Sequence, residues 1–176
     1  MAQARAGDAA AFATIYDRHA AAAYGLARRM LDNPTAAQDV VQEAFLSLWR
    51  SDAYRAEKGT LRTFVLQIVR NRAIDAFRRD RRHSVGQDRD DTAVLRLAAV
   101  DRTDDEVEQR DVRRQLRAAL TTLPPEQHRA LELAFFGGLT HREIALRLDE
   151  PVGTIKGRIR LGLQRLRTEV EVASCR

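Results

Sequence analysis

The segment that most constrains the fold is LTHREIALRLDEPVGTIKGRIRLGLQRLR, which occupies residues 139–167. Thr140 followed three residues later by Glu143 is the capping-box pattern that begins a helix, and HREIALRL supplies that helix. DEPVG then turns the chain, and a second, longer helix is expected from about Val152 to about Val170. The segment therefore predicts two helices joined by a few residues.

The longer helix is predicted to have one apolar face and one basic face. A step of 100° per residue from Ile155 leaves Ile159, Leu163 and Leu166 in one arc, which we expect to face the core. The opposite face is small and positively charged, as a helix must be to approach base edges in the DNA major groove. This face consists of Gly153, Lys156, Gly157 and Arg160, flanked by Thr154 and Leu161, with Arg158 at its shoulder. A surface helix whose charges only solvate it is the alternative.

Composition favours helices along the whole chain. Of its 176 residues, 44% are hydrophobic and 31% are charged, which is within the globular range. Ala, Leu and Arg dominate, and these residues lose little on entering a helix. No segment shows the period of two that strands need. We therefore predict an all-α fold, in a chain long enough for one ordinary domain or two small ones.

Cysteine usage and hydropathy indicate where the protein works. The single cysteine, Cys175, excludes an internal disulfide and fits a reducing cytoplasm. No apolar run approaches the roughly 20 residues that a membrane span needs, and MAQARAGDAAAF lacks the apolar core of a signal peptide. We expect a cytoplasmic protein whose net charge of +5 suits an anionic partner.

Charge also divides the chain into three parts. Seven arginines and two aspartates lie between residues 62 and 82, nine acids and four arginines between 83 and 111, and only basic charges from 156 to 167. This arrangement indicates two separately folded modules joined by a mobile acidic tether. We place the modules at 9–82 and 108–172 and the tether at 83–107. Solvation alone is a sufficient reason for the acidic run.

The N-terminal module is predicted to contain three helices. The first has an apolar face made of Phe12, Ile15, Tyr16, His19, Tyr24, Leu26 and Met30. Asn33-Pro34 breaks this helix, and Thr35 is the expected N-cap of the second. The apolar stripe of the second helix consists of Val40, Val41, Ala44, Phe45, Leu48 and Trp49. Its polar residues Asp39, Gln42, Glu43 and Ser47 lie off that stripe.

The third helix combines an apolar face with an arginine-rich one. It is expected to begin at Thr60 or Thr63. The residues expected to be buried are Phe64, Val65, Ile68, Ile74 and Phe77. Those expected to project outward are Asn71, Arg72, Asp75, Arg78 and Arg79. The arginines suit a track of phosphates, although Asn and Asp are common on solvated faces, so solvation remains an alternative.

Catalysis has little support in the sequence. The four histidines, at positions 19, 83, 128 and 141, are scattered. We find no Gly-rich phosphate loop, no Ser or Cys nucleophile beside a base, and no paired carboxylates in an apolar setting. We therefore predict a protein that is not an enzyme and needs no metal, no cofactor and no small-molecule substrate.

Five stretches, in order, resemble an alternative bacterial sigma factor of the extracytoplasmic-function type. They are AFATIYDRHAAAAYGLARRML, AAQDVVQEAFLSLW, GTLRTFVLQIVRNRAIDAFRR, LPPEQHRALELAFFGGLTHREIALRL and PVGTIKGRIRLGLQRLR. They cover nearly everything except the tether. The resemblance implies sigma region 2 at 9–82 and sigma region 4, a helix-turn-helix, at 108–172. It also implies that the protein binds core RNA polymerase and directs promoter-specific initiation, with promoter DNA as its other partner.

The resemblance also assigns expected roles to individual residues. For polymerase docking it implies Asp39, Gln42 and Glu43 as polar contacts, with Phe45 and Trp49 supporting the packing. For the melted minus-10 strand it implies Asn71 and Asp75 at bases and Arg72, Arg78 and Arg79 at phosphates. For the minus-35 duplex it implies Thr154, Lys156, Gly157 and Arg160 on the reading face, with Arg142 and Arg158 at phosphates. Relatives often carry Ser where this chain has Gly157, so a hydrogen bond is missing there.

FFGGLT and GTIKGRIRLGL resemble the subgroup of this family that is held by membrane-anchored anti-sigma proteins. The resemblance therefore implies an anti-sigma partner that keeps the chain at the inner face of the membrane. Two other interpretations remain. A stand-alone helix-turn-helix repressor would need a ligand pocket or a dimer face in the N-terminal module, and a pure interaction protein would leave two separate arginine-rich segments unexplained.

Overall fold

The structure is a computed structural model that describes residues 7–83, residue 114 and residues 117–174. The chain divides into two compact units, Met1–Ala93 and Val94–Arg176, and each is described by itself. All regular structure in the described residues is helical. The prediction of an all-α chain with two helical units is therefore confirmed. Cys175 and the predicted tether, apart from its first residue, lie outside the described residues.

The first unit is a bundle of three helices that pack against one another in every pair. They are α1 (Ala9–Met30), α2 (Pro34–Arg50) and α3 (Leu61–His83), with a 3-10 turn at Ala56–Lys58 before α3. Asp8 begins α1, because its Oδ1 accepts hydrogen bonds from the amides of Ala10 and Ala11 at 2.9 and 3.0 Å. Such a cap satisfies amides that have no partner within the helix.

The start of α2 differs from the prediction. Asn33, and not Thr35, is the N-cap, with its Oδ1 accepting from the amide of Thr35 at 2.9 Å and from that of Ala36 at 3.4 Å. Pro34 then occupies the first helical position, where its missing N–H leaves no donor unsatisfied. The Asn-Pro pair that ends one helix therefore also begins the next. At α3, Thr60 accepts from the amide of Thr63 at 3.2 Å, which decides between the two predicted starts.

The core of the first unit depends on small residues more than the sequence prediction allowed. Val65 is buried as predicted, whereas Phe64, Ile68, Ile74 and Phe77 are only partly buried. Tyr16, assigned to the apolar face of α1, is 42% exposed. The fully buried residues that the prediction did not name include Ala23, Ala27, Ala37, Val69 and Ala73. Alanines on facing surfaces let the three helices approach closely, and they share the core with larger buried side chains such as Phe45 and Leu48.

The second unit contains helical residues 117–121, then α4 (Pro125–Phe135), α5 (His141–Leu148) and α6 (Val152–Ser174). The capping box at Thr140 is confirmed. Its hydroxyl accepts from the Glu143 amide at 3.3 Å, and the Glu143 carboxylate accepts from the Thr140 amide at 2.6 Å. Asp149 ends α5 in the left-handed conformation, with φ of 52°, so the chain can turn sharply into α6.

The core of the second unit lies where the three helices meet. It consists of Leu133, Ile144, Ala145 and Ile155, with Leu139, Leu148, Val152 and Ile159 packed around it. The predicted inward position of Leu163 is wrong, because this residue is 55% exposed. Gly162 is buried in its place, and a Cβ there would lie 2.7 Å from Cδ1 of Leu131 on α4. Without a side chain at 162, α4 and α6 approach closely on that side of the helix.

Candidate nucleic-acid and protein interfaces

The polar residues of α2 that were predicted to dock on polymerase lie on one exposed face. Asp39, Gln42 and Glu43 are all exposed, at the spacing that aligns side chains along a helix. Leu46 continues the same stripe and is 45% exposed. The sequence prediction missed Leu46, although its position three residues after Glu43 placed it on this face. The outward surface of α2 is therefore acidic and polar as far as Glu43, followed by the apolar Leu46 and, at the end of the helix, by the exposed Arg50.

Aromatic side chains of α1 and α2 pack together behind the exposed face of α2. Phe45 is buried, and Trp49 is half-buried. The ring of Phe12 on α1 meets Trp49 edge-on at a centroid distance of 4.5 Å, and Tyr16 lies 4.7 Å from Phe45. Offset and edge-on ring pairs add stability beyond their buried area. Phe45 and Trp49 thus join α1 to α2, which agrees with the packing role expected for them.

A second exposed stripe follows α3. Asn71, Asp75, Arg78 and Arg79 are all exposed at positions one or two turns apart, so they share a face. Gln67 extends this face by one turn toward the helix start and is also exposed. The sequence prediction did not name Gln67, although its spacing of four from Asn71 indicates it. The stripe combines amide and carboxylate groups at one end with guanidinium groups at the other.

Arg72 on α3 contacts α2. Its Nη1 donates to Oε2 of Glu43 at 2.6 Å, and its Nη2 donates to the hydroxyl of Ser47. Both acceptors lie on α2. The prediction that Arg72 projects away from the unit is therefore wrong, since its guanidinium is held between two helices. The same bond also gives Glu43, predicted to contact polymerase, a partner inside its own unit.

The basic face of α6 is arranged as predicted. Thr154, Lys156 and Arg160 are exposed, and Gly157 lies between them with partial exposure. A Cβ added at Gly153 or at Gly157 would meet no atom within 4 Å. Packing inside the protein therefore does not require either glycine, although each lowers helix stability by up to about 1 kcal/mol relative to Ala. Between the charged side chains, the two glycines leave a strip without side chains, where another molecule can come close to the backbone of α6.

The two arginines expected at duplex phosphates differ in their surroundings. Arg142 is exposed at the second position of α5. Arg158 is half-buried, and its Nη1 donates to Oε1 of Glu150 at 2.6 Å. Because Glu150 lies in the turn before α6, this bond ties the turn to the second turn of the helix. Arg158 is therefore already engaged at the base of the basic face.

Two polar residues of α4 are buried, and the sequence prediction named neither. Gln127 on α4 is buried, and its Oε1 accepts from Arg165 on α6 at 3.3 Å. Glu132 is 8% exposed, and Nδ1 of His128 lies 3.9 Å from its Oε2. Burial raises the pKa of Glu132 to about 7, and the positive charge of Arg129 opposes the rise. The sequence offered no signal for a buried Glu132, since its spacing alone resembles that of a solvated helix residue.

Neither a membrane span nor a metal site occurs in residues 7–83 and 117–174. No helix in these ranges is long and apolar enough to cross a bilayer. No group of three His, Cys, Asp or Glu side chains in the same ranges is placed to hold a metal ion.

Both helical units carry polar stripes on exposed helices, and the second unit contains a helix-turn-helix pair with a basic second helix, an arrangement typical of DNA-binding proteins. Residues 15–83 match the family described as Sigma-70 region 2, and residues 113–166 match Sigma-70, region 4. These two ranges hold the α3 stripe and the basic face of α6, respectively.

Two relatives that match nearly the whole chain identify a narrower family. The chain is 34% identical over 167 residues to the ECF RNA polymerase sigma factor SigK of Mycolicibacterium vanbaalenii, covering 94% of this chain and 85% of the relative. It is 34% identical over 162 residues to the ECF RNA polymerase sigma factor RpoE of Cereibacter sphaeroides, covering 91% and 86%. The chain belongs to the extracytoplasmic-function sigma factors of the sigma-70 family.

Solved structures resemble the chain more weakly. CnrH in complex with the cytosolic domain of CnrY is 22% identical, with a TM-score of 0.42, covering 97% of this chain and 94% of that one. The sigma factor RpoE of Bartonella quintana, in complex with the anti-sigma factor NepR, is 21% identical, with a TM-score of 0.40 and coverages of 92% and 97%. Each of these two proteins was solved in complex with a second protein.

Proposed function

We propose that this chain binds core RNA polymerase, brings it to promoters and stabilises the opened minus-10 region. The observation that carries the proposal is the pair of stripes on one helical bundle, polar and acidic on α2 and arginine-containing on α3, in a chain with a separate basic helix-turn-helix. Membership of the sigma factor family supports the same role. The chain acts by binding and not by catalysis in this proposal.

The α2 stripe is the proposed docking surface for polymerase. Asp39, Gln42 and Glu43 offer acceptors and charge to a basic partner, and Leu46 offers an apolar contact beside them. Phe45 and Trp49 act indirectly, because they fix α2 on α1. Electrostatic complementarity of this kind favours a specific partner and speeds encounter.

The α3 stripe is the proposed binding surface for the melted minus-10 strand. Asn71 and Asp75 offer donors and acceptors to the edges of unstacked bases, which a duplex would hide. Arg78 and Arg79 continue the stripe as proposed phosphate contacts. Capture of unstacked bases offsets part of the free energy that strand separation requires.

The basic face of α6 is the proposed reader of the minus-35 duplex. Thr154, Lys156 and Arg160 would reach base edges or phosphates, while Gly153 and Gly157 let the helix backbone come close. Arg142 at the start of α5 is the proposed phosphate contact beside it. We assign Arg158 to the same surface through its bond to Glu150, which holds the turn before α6 in place.

We also propose an anti-sigma partner that is anchored in the membrane and holds the chain, otherwise cytoplasmic, at the inner face. The resemblance of FFGGLT and GTIKGRIRLGL to the subgroup regulated in that way supports the proposal. Phe135, in the first of these motifs, is 46% exposed, and Leu146, between the two motifs, is 84% exposed, so both side chains are accessible to a partner.

Transcription by core polymerase from a fragment library, with and without the purified chain, tests the proposal. Specific transcripts that require the chain are expected, and their absence would contradict the proposed function. Asp39→Arg is expected to weaken binding to core polymerase about tenfold or more, because it places a like charge against a basic partner. Asp17→Arg, the same charge change at an exposed position on α1, is the matched control and is expected to leave binding unchanged.

A further inference from the structure

Arg72 joins the two proposed working surfaces of the first unit. Its Nη1 lies 2.6 Å from Oε2 of Glu43, and its Nη2 donates to the hydroxyl of Ser47. Glu43 and Ser47 are four residues apart on α2, so they present their acceptors on one face, one turn apart. A single guanidinium therefore spans a full turn of α2 from the side of α3.

The chemistry of this contact is specific to arginine. The guanidinium group is planar and presents N–H donors in a fixed fork, whereas a lysine ammonium acts as a point charge. With both terminal nitrogens of Arg72 engaged, the position of α3 along α2 and its rotation about its own axis are both restrained. The adjacent residue on α3 is Asn71, and Asp75 lies one turn further, so the restraint acts at the proposed base-reading end of the stripe.

We propose that Arg72 is a positioning residue and not a phosphate contact. It holds the strand-binding face of α3 at a fixed place relative to the docking face of α2, so that a polymerase bound on α2 receives the bases at a defined place on α3. A binding group must be held within roughly half an ångström of its working position, which requires supporting contacts of this kind. The inference rests on the proposed function, because it concerns the same two faces.

The contact between Arg72 and Glu43 is partly exposed, which favours a role in positioning α3 over a role in stabilising the fold. The side chains of Arg72 and Glu43 are 35% and 53% exposed. Ion pairs in contact with water contribute little to folding. The observed contact uses donors on both terminal nitrogens of Arg72, so a positioning role requires no change in the arrangement of the side chain.

Salt dependence of promoter opening by the holoenzyme separates the two roles. Each phosphate contact to a single strand contributes about 0.7 to the slope of log affinity against log salt concentration. Arg72→Met is expected to reduce opening several-fold, measured by permanganate reactivity of minus-10 thymines, with the salt slope unchanged. Arg79→Met, the matched control on the exposed stripe, is expected to lower the slope by about 0.7.

Two further variants test the fork itself. Arg72→Lys is expected to open promoters better than Arg72→Met but less well than the wild type, because lysine keeps the charge but not the fork. Ser47→Ala removes one acceptor without a change of charge, and combined with Arg72→Met it should add little to the loss from Arg72→Met alone. A fall of about 0.7 in the salt slope of Arg72→Met, or normal opening by that variant, would overturn the proposal.

A measurement on the free chain keeps the two proposals distinguishable. Nitrogen resonances of the Arg72 guanidinium report its rotation without polymerase or DNA, and slow rotation is expected in the wild type but fast rotation in Ser47→Ala. Fast rotation in the wild type would overturn the positioning role. If the wild-type holoenzyme opens no promoter, the proposed function fails, while the rotation rates still report whether the fork exists.

Discussion

Replacement of Glu132 by Gln is predicted to make the second unit more stable at neutral and alkaline pH. The carboxyl of Glu132 is buried on α4, and its pKa is raised from 4.5 to about 7. Each pKa unit corresponds to 1.36 kcal/mol, so the difference of about 2.5 pH units amounts to about 3 kcal/mol when the group is ionised. Gln has the same shape and carries no charge, so this penalty disappears in the variant.

The sign of the pH dependence follows from the protons bound in each state. Between pH 4.5 and about 7 the folded unit keeps the proton of Glu132, and the unfolded chain has released it. The free energy of unfolding therefore falls as pH rises through this window and levels off above it. The contribution is fully present below pH 4.5, where Glu132→Gln and the wild type are expected to be about equally stable at this site.

Urea titrations at pH 5, 6, 7 and 8, followed by circular dichroism, measure this dependence. The chain contains one tryptophan, Trp49, in the first unit, so its fluorescence follows that unit separately and should be the same in both proteins. Glu126→Gln, an exposed position on the same helix, is the matched control and should keep the wild-type dependence. Equal pH dependence in Glu132→Gln and the wild type would refute the assigned cost of burying this carboxylate.

Two further predictions concern glycine sites and the basic face of α6. Gly137→Ala is expected to destabilise the second unit by about 1–3 kcal/mol, because the new Cβ would lie 2.7 Å from the backbone oxygen of Leu133. Gly25→Ala, where a Cβ meets nothing within 4 Å, should stabilise the first unit by up to about 1 kcal/mol, and thermal melts compare both. Lys156→Ala should weaken minus-35 duplex binding by about 1–3 kcal/mol in a gel-shift titration, and Arg167→Ala should not. Equal losses in these two variants would contradict the assigned face.

Local sequence rules predicted the helices and their exposed faces well. The capping box at Thr140 and Glu143, the exposed residues of α2 and the basic face of α6 all follow from spacing within one helix. The start of α2 was placed two residues late because Asn33 was counted only as the end of α1. Asn is common both where a helix begins and where a helix ends, and only its hydrogen bonds show which of the two roles it has.

These local rules could not predict the contacts between helices. The arc predicted for α6 included Leu163 because hydrophobic periodicity cannot recognise a glycine as a buried residue, yet Gly162 is the position that meets α4. Arg72 and Glu43 are 29 residues apart, so their pairing depends on how α2 and α3 cross. Glu132 was overlooked for the same reason, since its burial depends on residues outside its own helix.

The absence of side chains at Gly153 and Gly157 has a practical consequence. Both positions face outward from α6, and the fold accepts an added carbon atom at either one without displacing any neighbour within 4 Å. Under the proposed function, DNA preference and folding are therefore separable at α6. A library of residues at these two sites is expected to change which minus-35 bases are favoured while the fold stays intact. This makes α6 a suitable starting point for building synthetic transcription switches with altered targets.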